Sequence, residues 1–148
     1  MKTIVEQLNK VYYEEEWWME SRLSELEISR YHSTMLGHGR LFTLTEKGKL
    51  TGYVESWRLT FEQFGRIICN VPFSPLEEDV TEGPIAYVSN TWVRKDKRFG
   101  FTIKQLKQAF IDTNKDAEYF VGEAKRKKTQ PVKVFHRSKF FKKEKTNG

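Results

Sequence analysis

Arg94, Lys95, Lys97 and Arg98 put four cations into five positions. They lie in a turn between an apolar run ending at Trp92-Val93 and a helical pattern beginning around Gly100. A strand-to-helix turn aims free backbone N–H groups and the positive end of the helix dipole at one spot, so this stretch predicts an anion site, phosphate above all. A second basic run, Lys125 to Lys128, is suited to a nucleic-acid backbone or to a solvated loop. His32 and His38, close to glycines, are too few to hold a metal. Cys69 beside Ile67-Ile68 reads as a small buried hydrophobe. No metal site is expected.

The elements that must position these groups come from one domain. The chain has 148 residues, 26 basic and 20 acidic, with a net charge of +6. That length suits a single domain over residues 1–140 followed by a basic tail, 141–148. Residues 1–30 carry four basic and seven acidic groups, whereas residues 124–148 carry ten basic and one acidic. An anionic partner is therefore expected to meet the second half. No apolar run reaches the roughly 20 residues of a membrane helix. The N-terminus lacks a signal-peptide pattern. A lone cysteine fits a reducing, cytoplasmic setting.

Helical spacing over the first thirty residues places Val5, Leu8 and Tyr12 on one face, and Leu23, Leu26 and Ile28 further on. The signal stops at Gly37-His38-Gly39. Arg40 to Thr45 and Leu50 to Leu59 read as a hairpin around Glu46-Lys47-Gly48-Lys49. Strict alternation puts Leu50, Gly52, Val54, Ser56 and Arg58 on one face and Tyr53, Glu55, Trp57 and Leu59 on the other. A short helix at Thr60–Cys69 and a mobile connector rich in proline and acid, 72–79, are expected next. Ile85–Val93 reads as a buried strand. A helix follows with Ile103, Leu106, Phe110 and Ile111 inward, then a strand at Ala117–Val121. A last helix opens at Pro131, which favours a helix's first turn, with Val132 and Phe135 inward. The order is α-α-β-β-α-β-α-β-α: an α/β domain with a mixed sheet flanked by helices.

The block from Tyr87 to Leu106 resembles the acetyl-CoA segment of the GCN5-related N-acetyltransferase (GNAT) superfamily. There an apolar strand ending in valine leads into Arg/Gln-x-x-Gly-x-Gly/Ala and a helix. The element order agrees over roughly residues 10–140. The resemblance implies a GNAT-like sheet with a truncated C-terminal strand region, and acetyl-CoA as the bound group. Thr91, Trp92 and Val93 take the strand positions that hold the pantetheine arm. Arg98, Phe99, Gly100, Phe101, Thr102 and Ile103 take the turn that cradles the pyrophosphate. The two glycine-like positions hold Phe101 and Ile103, with Gly100 between the first arginine and these two.

The resemblance also implies catalytic positions. A base that deprotonates an amine belongs on the central strands near the thioester, where Glu55 and Glu123 stand. Ser89 and Asn90 are placed to orient the nucleophile or a water. The family's Tyr-x-x-x-Gly-Phe pattern is met by Phe135 to Phe140, with Phe135 at the tyrosine and Lys139 at the glycine. Adjacent His136 is the candidate acid or base. The expected function is acetyl transfer from acetyl-CoA to an amine acceptor. The alternatives are an inactive GNAT-fold protein that contacts nucleic acid or an acidic protein through Arg94–Arg98 and Lys125–Lys128, and a relative that modifies nucleic-acid bases. A second copy is expected to complete the sheet if its edge is otherwise open.

Overall fold

A computed structural model describes residues 2–15, 23–98, 100–122 and 133–141. Lys47 and Gly48 adopt φ of 51° and 77°, the left-handed pair that a two-residue hairpin turn requires. They join strand β1 (Leu41–Glu46) to the long strand β2 (Lys49–Leu59). Helix α1 (Ile4–Glu15) staples this turn: Gln7 accepts from the Leu50 N–H at 2.7 Å and donates to the Gly48 carbonyl at 3.0 Å. Helix α2 (Glu25–Gly37) starts at a reciprocal capping box between Ser24 and Glu27. Thr60 and Gln63 form the same device at the start of α3 (Phe61–Ile68).

Strand β3 (Ile85–Val93) pairs antiparallel with β2 and leads through a 3-10 turn at Lys95–Lys97 into α4 (Phe101–Asp112). Strand β4 (Tyr119–Gly122) runs parallel to β3, and β5 (Lys133–His136) antiparallel to β4. The sheet order is β1-β2-β3-β4-β5. Helices α1 and α2 cover one face around Leu8, Met35, Tyr53, Leu59, Ile85 and Val121. Helix α4 covers the other around Val54, Ala86, Leu106, Phe110 and Phe120. Gly52 lets α4 approach, because a Cβ there would lie 3.4 Å from Leu106 Cδ1 and 3.2 Å from the Trp92 carbonyl.

Two interruptions re-aim side chains. The β1–β2 register slips at Leu44/Thr45, leaving Thr51 as the extra residue. That slip corrects the strict alternation, because Leu50 joins the α1 side while Val54 joins the α4 side. The β2–β3 register slips between Glu55 and Ser56, leaving Ser89 as the extra residue of β3.

Other expectations need correction. Pro131 lies outside the described residues, but the segment from Lys133 is a strand, not a helix. Its register opposes Phe135 to Phe120 and His136 to Tyr119, so pairing with β4 decides its form. Cys69 is exposed at the C-cap of α3, and Ile103 is 42% exposed. The connector after α3 is tied down: Gln63 donates to the Asp79 carbonyl at 3.0 Å, Arg66 pairs with Glu78 at 2.9 Å, and the Arg58 N–H meets the Val80 carbonyl at 2.6 Å. Beside it, the Arg58 guanidinium is only 2% exposed and donates to the Gly83 carbonyl and to Asp116, each at 2.8 Å. Among the described residues, no helix is long and apolar enough to cross a membrane.

Candidate active site

The bulge at Ser89 gives the site its shape. It turns two successive side chains, Ser89 and Asn90, toward the same cavity of about 310 Å³ on the α1–α2 side of the sheet. Glu55 enters that cavity from β2 and is 6% exposed. Its Oε1 accepts from the Ser89 hydroxyl at 2.7 Å and from the Tyr31 hydroxyl at 2.8 Å. Tyr31 in turn accepts from the Trp57 indole N–H at 2.8 Å. The Tyr31 proton is thus directed at Glu55. Asn90 donates to the Tyr53 hydroxyl at 2.7 Å.

The walls are largely apolar. Trp57 stacks on Tyr87 and tilts against Phe73, and the connector adds Pro75 and Leu76. His32 lies beside Tyr31, with Nδ1 2.8 Å from Asn9 Oδ1. Burial pushes its pKa down from 6.5 to about 4. The folded state therefore holds a neutral imidazole while the unfolded chain still takes a proton. Stability from this residue is complete above about pH 6.5 and is lost progressively as pH falls towards 4, by an amount on the order of 3 kcal/mol. Urea unfolding between pH 7 and 4 is expected to show a smaller loss for His32→Gln than for the wild type. Equal losses would remove His32 as the cause.

The far edge of β3 carries the strand positions that the resemblance assigns to the pantetheine arm. Strand β4 pairs only with Ile85, Ala86 and Tyr87. Beyond Tyr87, β3 runs on to Val93 with no strand on that edge among the described residues. Thr91, Trp92 and Val93 lie on this free stretch: Thr91 exposed, Trp92 stacked on Tyr53, and Val93 buried towards α4. The stretch leads to the start of α4, where Gly100 is the N-cap with φ 97° and no side chain caps the helix. The N–H groups of the first turn, Phe101, Thr102 and Ile103, have no i−4 partner within the helix. Phe101 is 72% exposed.

The basic cluster is less free than its composition predicts. Arg94 forms a two-bond ion pair with Asp96 at 2.6 and 2.8 Å, and Lys97 meets Glu46 at 3.0 Å. Arg98 donates from Nε to the Val93 carbonyl at 3.0 Å, bracing the turn. Glu123, Phe99 and Lys125–Lys128 fall outside the described residues.

His136 is not brought to Glu55. It lies opposite Tyr119, at the end of β4 remote from Gly122, with its Nδ1 2.9 Å from Ser138 Oγ. Lys139 sits over the Phe135 ring at 3.8 Å. Tyr31 is the member of the site that sequence reading misses. Its signal is the i, i+4, i+7 spacing of the buried residues Ile28, His32 and Met35 on α2, which leaves Tyr31 beside that stripe.

A mixed sheet in the order β1-β2-β3-β4-β5 with helices on both faces is a GNAT-like architecture. No family model and no curated protein matches the chain. A solved structure, the GphF GNAT-like decarboxylase in complex with isobutyryl-CoA, matches with a TM-score of 0.53 at 14% identity. The match covers 81% of this chain and 62% of that one. The chain has a GNAT-like fold.

Proposed function

We propose that the protein is an acyl-CoA-dependent N-acyltransferase, with acetyl-CoA as its donor and an amine bound against Glu55 as its acceptor. The observation that carries this reading is the buried Glu55–Ser89 pair on β2 and β3 of a GNAT-like sheet, with β3 leading into a start of α4 that no side chain caps. The end of β3, from Thr91 to Val93, suits the amide groups of a pantetheine arm, and the first turn of α4, with no side-chain cap, suits a pyrophosphate. The neighbour's ligand, isobutyryl-CoA, supports a CoA thioester of small acyl size.

In this reading Glu55 takes one proton from the acceptor ammonium. The freed amine nitrogen attacks the thioester carbonyl, the C–N bond forms and the C–S bond breaks. A second proton leaves the nitrogen and reaches the departing thiolate through solvent. Tyr31 and Ser89 hold the carboxylate in place, and backbone N–H groups at the end of β3 would meet the developing oxyanion. Holding both reactants across one strand supplies much of the remaining rate.

Calorimetric titration with acetyl-CoA, isobutyryl-CoA and CoA tests the donor site. Phe101→Glu puts a negative charge where the pyrophosphate would lie, yet an acidic residue in a helix's first turn favours folding. The variant is expected to keep its melting temperature and to bind CoA at least tenfold more weakly. Unaltered affinity would move the donor away from α4. No binding of any CoA species to the wild type would end this reading.

A further inference from the structure

We infer that a second cavity, between α1, the hairpin tip and the end of β3, binds a chain of two or three phosphate groups. It encloses about 720 Å³, within the usual range of small-ligand sites. The described residues that line it include the basic side chains of Lys2, Lys10, Lys47, Lys49 and Arg94, against one acidic side chain, Glu14. Lys10 lies 4.0 Å from Glu14, and Arg94 is held by Asp96. Lys2, Lys47 and Lys49 form no ion pair among the described residues. Gln7 is what gathers these three. Its side-chain amide donates to the Lys2 carbonyl at 3.3 Å and to the Gly48 carbonyl at 3.0 Å, and its Oε1 accepts from the Leu50 N–H at 2.7 Å. The lysines are thus brought together by the fold and not by sequence alone.

The cavity is separate from the turn proposed for the donor's pyrophosphate. Val11, Leu50 and Trp92 line it, and all three belong to the apolar cluster on the α1–α2 side of the sheet. Val93 and α4 pack on the other side. The free groups also select the ligand. An ammonium is a compact point charge with several donors, suited to phosphate oxygens. The planar fork that suits a carboxylate is already spent by Arg94 on Asp96. All three lysines are exposed, so salt screens each of them and a monovalent anion gains little. A ligand with several charges meets all three at once. A nucleic-acid strand needs a groove that tracks its backbone, whereas these charges are confined to one cavity. Inorganic polyphosphate and nucleoside polyphosphates share the chemistry that the cavity requires.

The test is calorimetric titration of the full chain at pH 7.5 in low-salt, magnesium-free buffer, with tripolyphosphate, ATP, inorganic phosphate and adenosine. Tripolyphosphate and ATP are expected to bind at least tenfold more tightly than phosphate, and adenosine not to bind. Equal affinity for the first two would support the inorganic chain, and tighter binding of ATP the nucleotide. A variant carrying Lys2→Gln, Lys47→Asn and Lys49→Gln is expected to bind both at least tenfold more weakly. Its melting temperature is expected to hold, because Asn-Gly is the preferred pair for this hairpin turn. A second variant, with Lys107→Gln, Lys115→Gln and Lys133→Gln, removes the same charge from exposed positions elsewhere and is expected to bind as the wild type does. Equal weakening in the two variants would reduce the effect to net charge and overturn the site. So would no binding to the wild type, or full affinity in the first variant. Displacement of tripolyphosphate by acetyl-CoA would assign the cavity to the donor instead. Tighter binding of a single-stranded oligonucleotide or of polyglutamate than of tripolyphosphate would make it a macromolecular surface and also overturn the proposal. Tripolyphosphate bound through the three lysines by a protein that binds no CoA species would leave this site standing while the transferase reading falls.

Discussion

Glu55→Gln is expected to lower the rate of acyl transfer by about a hundredfold or more while leaving the affinity for acyl-CoA unchanged. A positioned general base contributes roughly 10²–10⁴ in rate, and the amide cannot take the proton. Glutamine keeps an oxygen for the Ser89 and Tyr31 hydroxyls, which lie 2.7 and 2.8 Å from the carboxylate, so the variant preserves the site's packing. Single-turnover kinetics on saturated enzyme isolate the chemical step, and calorimetry with acetyl-CoA reports the donor site separately. Transfer within threefold of the wild type would show that Glu55 is not the base. Glu123→Gln is the second arm: if both variants turn over normally, the proton leaves through solvent. A loss of CoA affinity with Glu55→Gln would show that the carboxylate serves the donor instead.

What can be read from the chain beforehand follows the range of the interactions involved. Gly48 in the hairpin and the valine-ended strand before the basic turn are local signals, and both elements stand where expected. Period-two alternation places Glu55 with Trp57 and Tyr53, and all three face the α1–α2 side. The bulge at Ser89 has no local signature, because it arises from how β2 and β3 register over nine residues of β3. Without it, Ser89 and Asn90 would point to opposite faces and only one would reach the cavity.

The segment from Lys133 departs from its expected form for a similar reason. Val132 and Phe135 sit three apart, a spacing that suits a helix, and four residues are too few for alternation to speak. Pairing of Phe120 with Phe135 and Val121 with Val134 decides the matter, and neither partner is near in sequence. The cations of the 94–98 turn add up in the composition, yet two of them, Arg94 and Lys97, are paired with acidic neighbours. Asp96 lies two residues from Arg94 and is legible; Glu46 reaches Lys97 only because the hairpin tip folds beside the turn.

Gly83→Ala is expected to lower stability by about 3 kcal/mol or more, beyond the usual overpacking range of roughly 1–3 kcal/mol for added methyl groups. A Cβ at this position would lie 2.1 Å from the Leu59 carbonyl carbon and 2.6 Å from the Thr60 nitrogen. Both are backbone atoms, so no rotamer change relieves the clash, and the connector must move away from β2. That movement would break the bond from the Gly83 N–H to the Arg58 carbonyl, at 3.1 Å, and the bond from Arg58 Nε to the Gly83 carbonyl, at 2.8 Å. The Arg58 guanidinium, buried at the end of β2, would then lose one of its acceptors.

Gly65→Ala is the matched opposite. Gly65 lies inside α3, and a methyl group there would meet nothing within 4 Å beyond its own helix, so alanine is expected to stabilise by about 0.5–1 kcal/mol. In thermal unfolding Gly83→Ala is expected to melt on the order of 10 °C below the wild type and Gly65→Ala slightly above it. A Gly83→Ala protein that melts with the wild type would show that the connector does not depend on this contact. Because the same connector brings Phe73, Pro75 and Leu76 to the Glu55 cavity, its seat on β2 links a methyl-sized clearance at Gly83 to the shape of that cavity's wall.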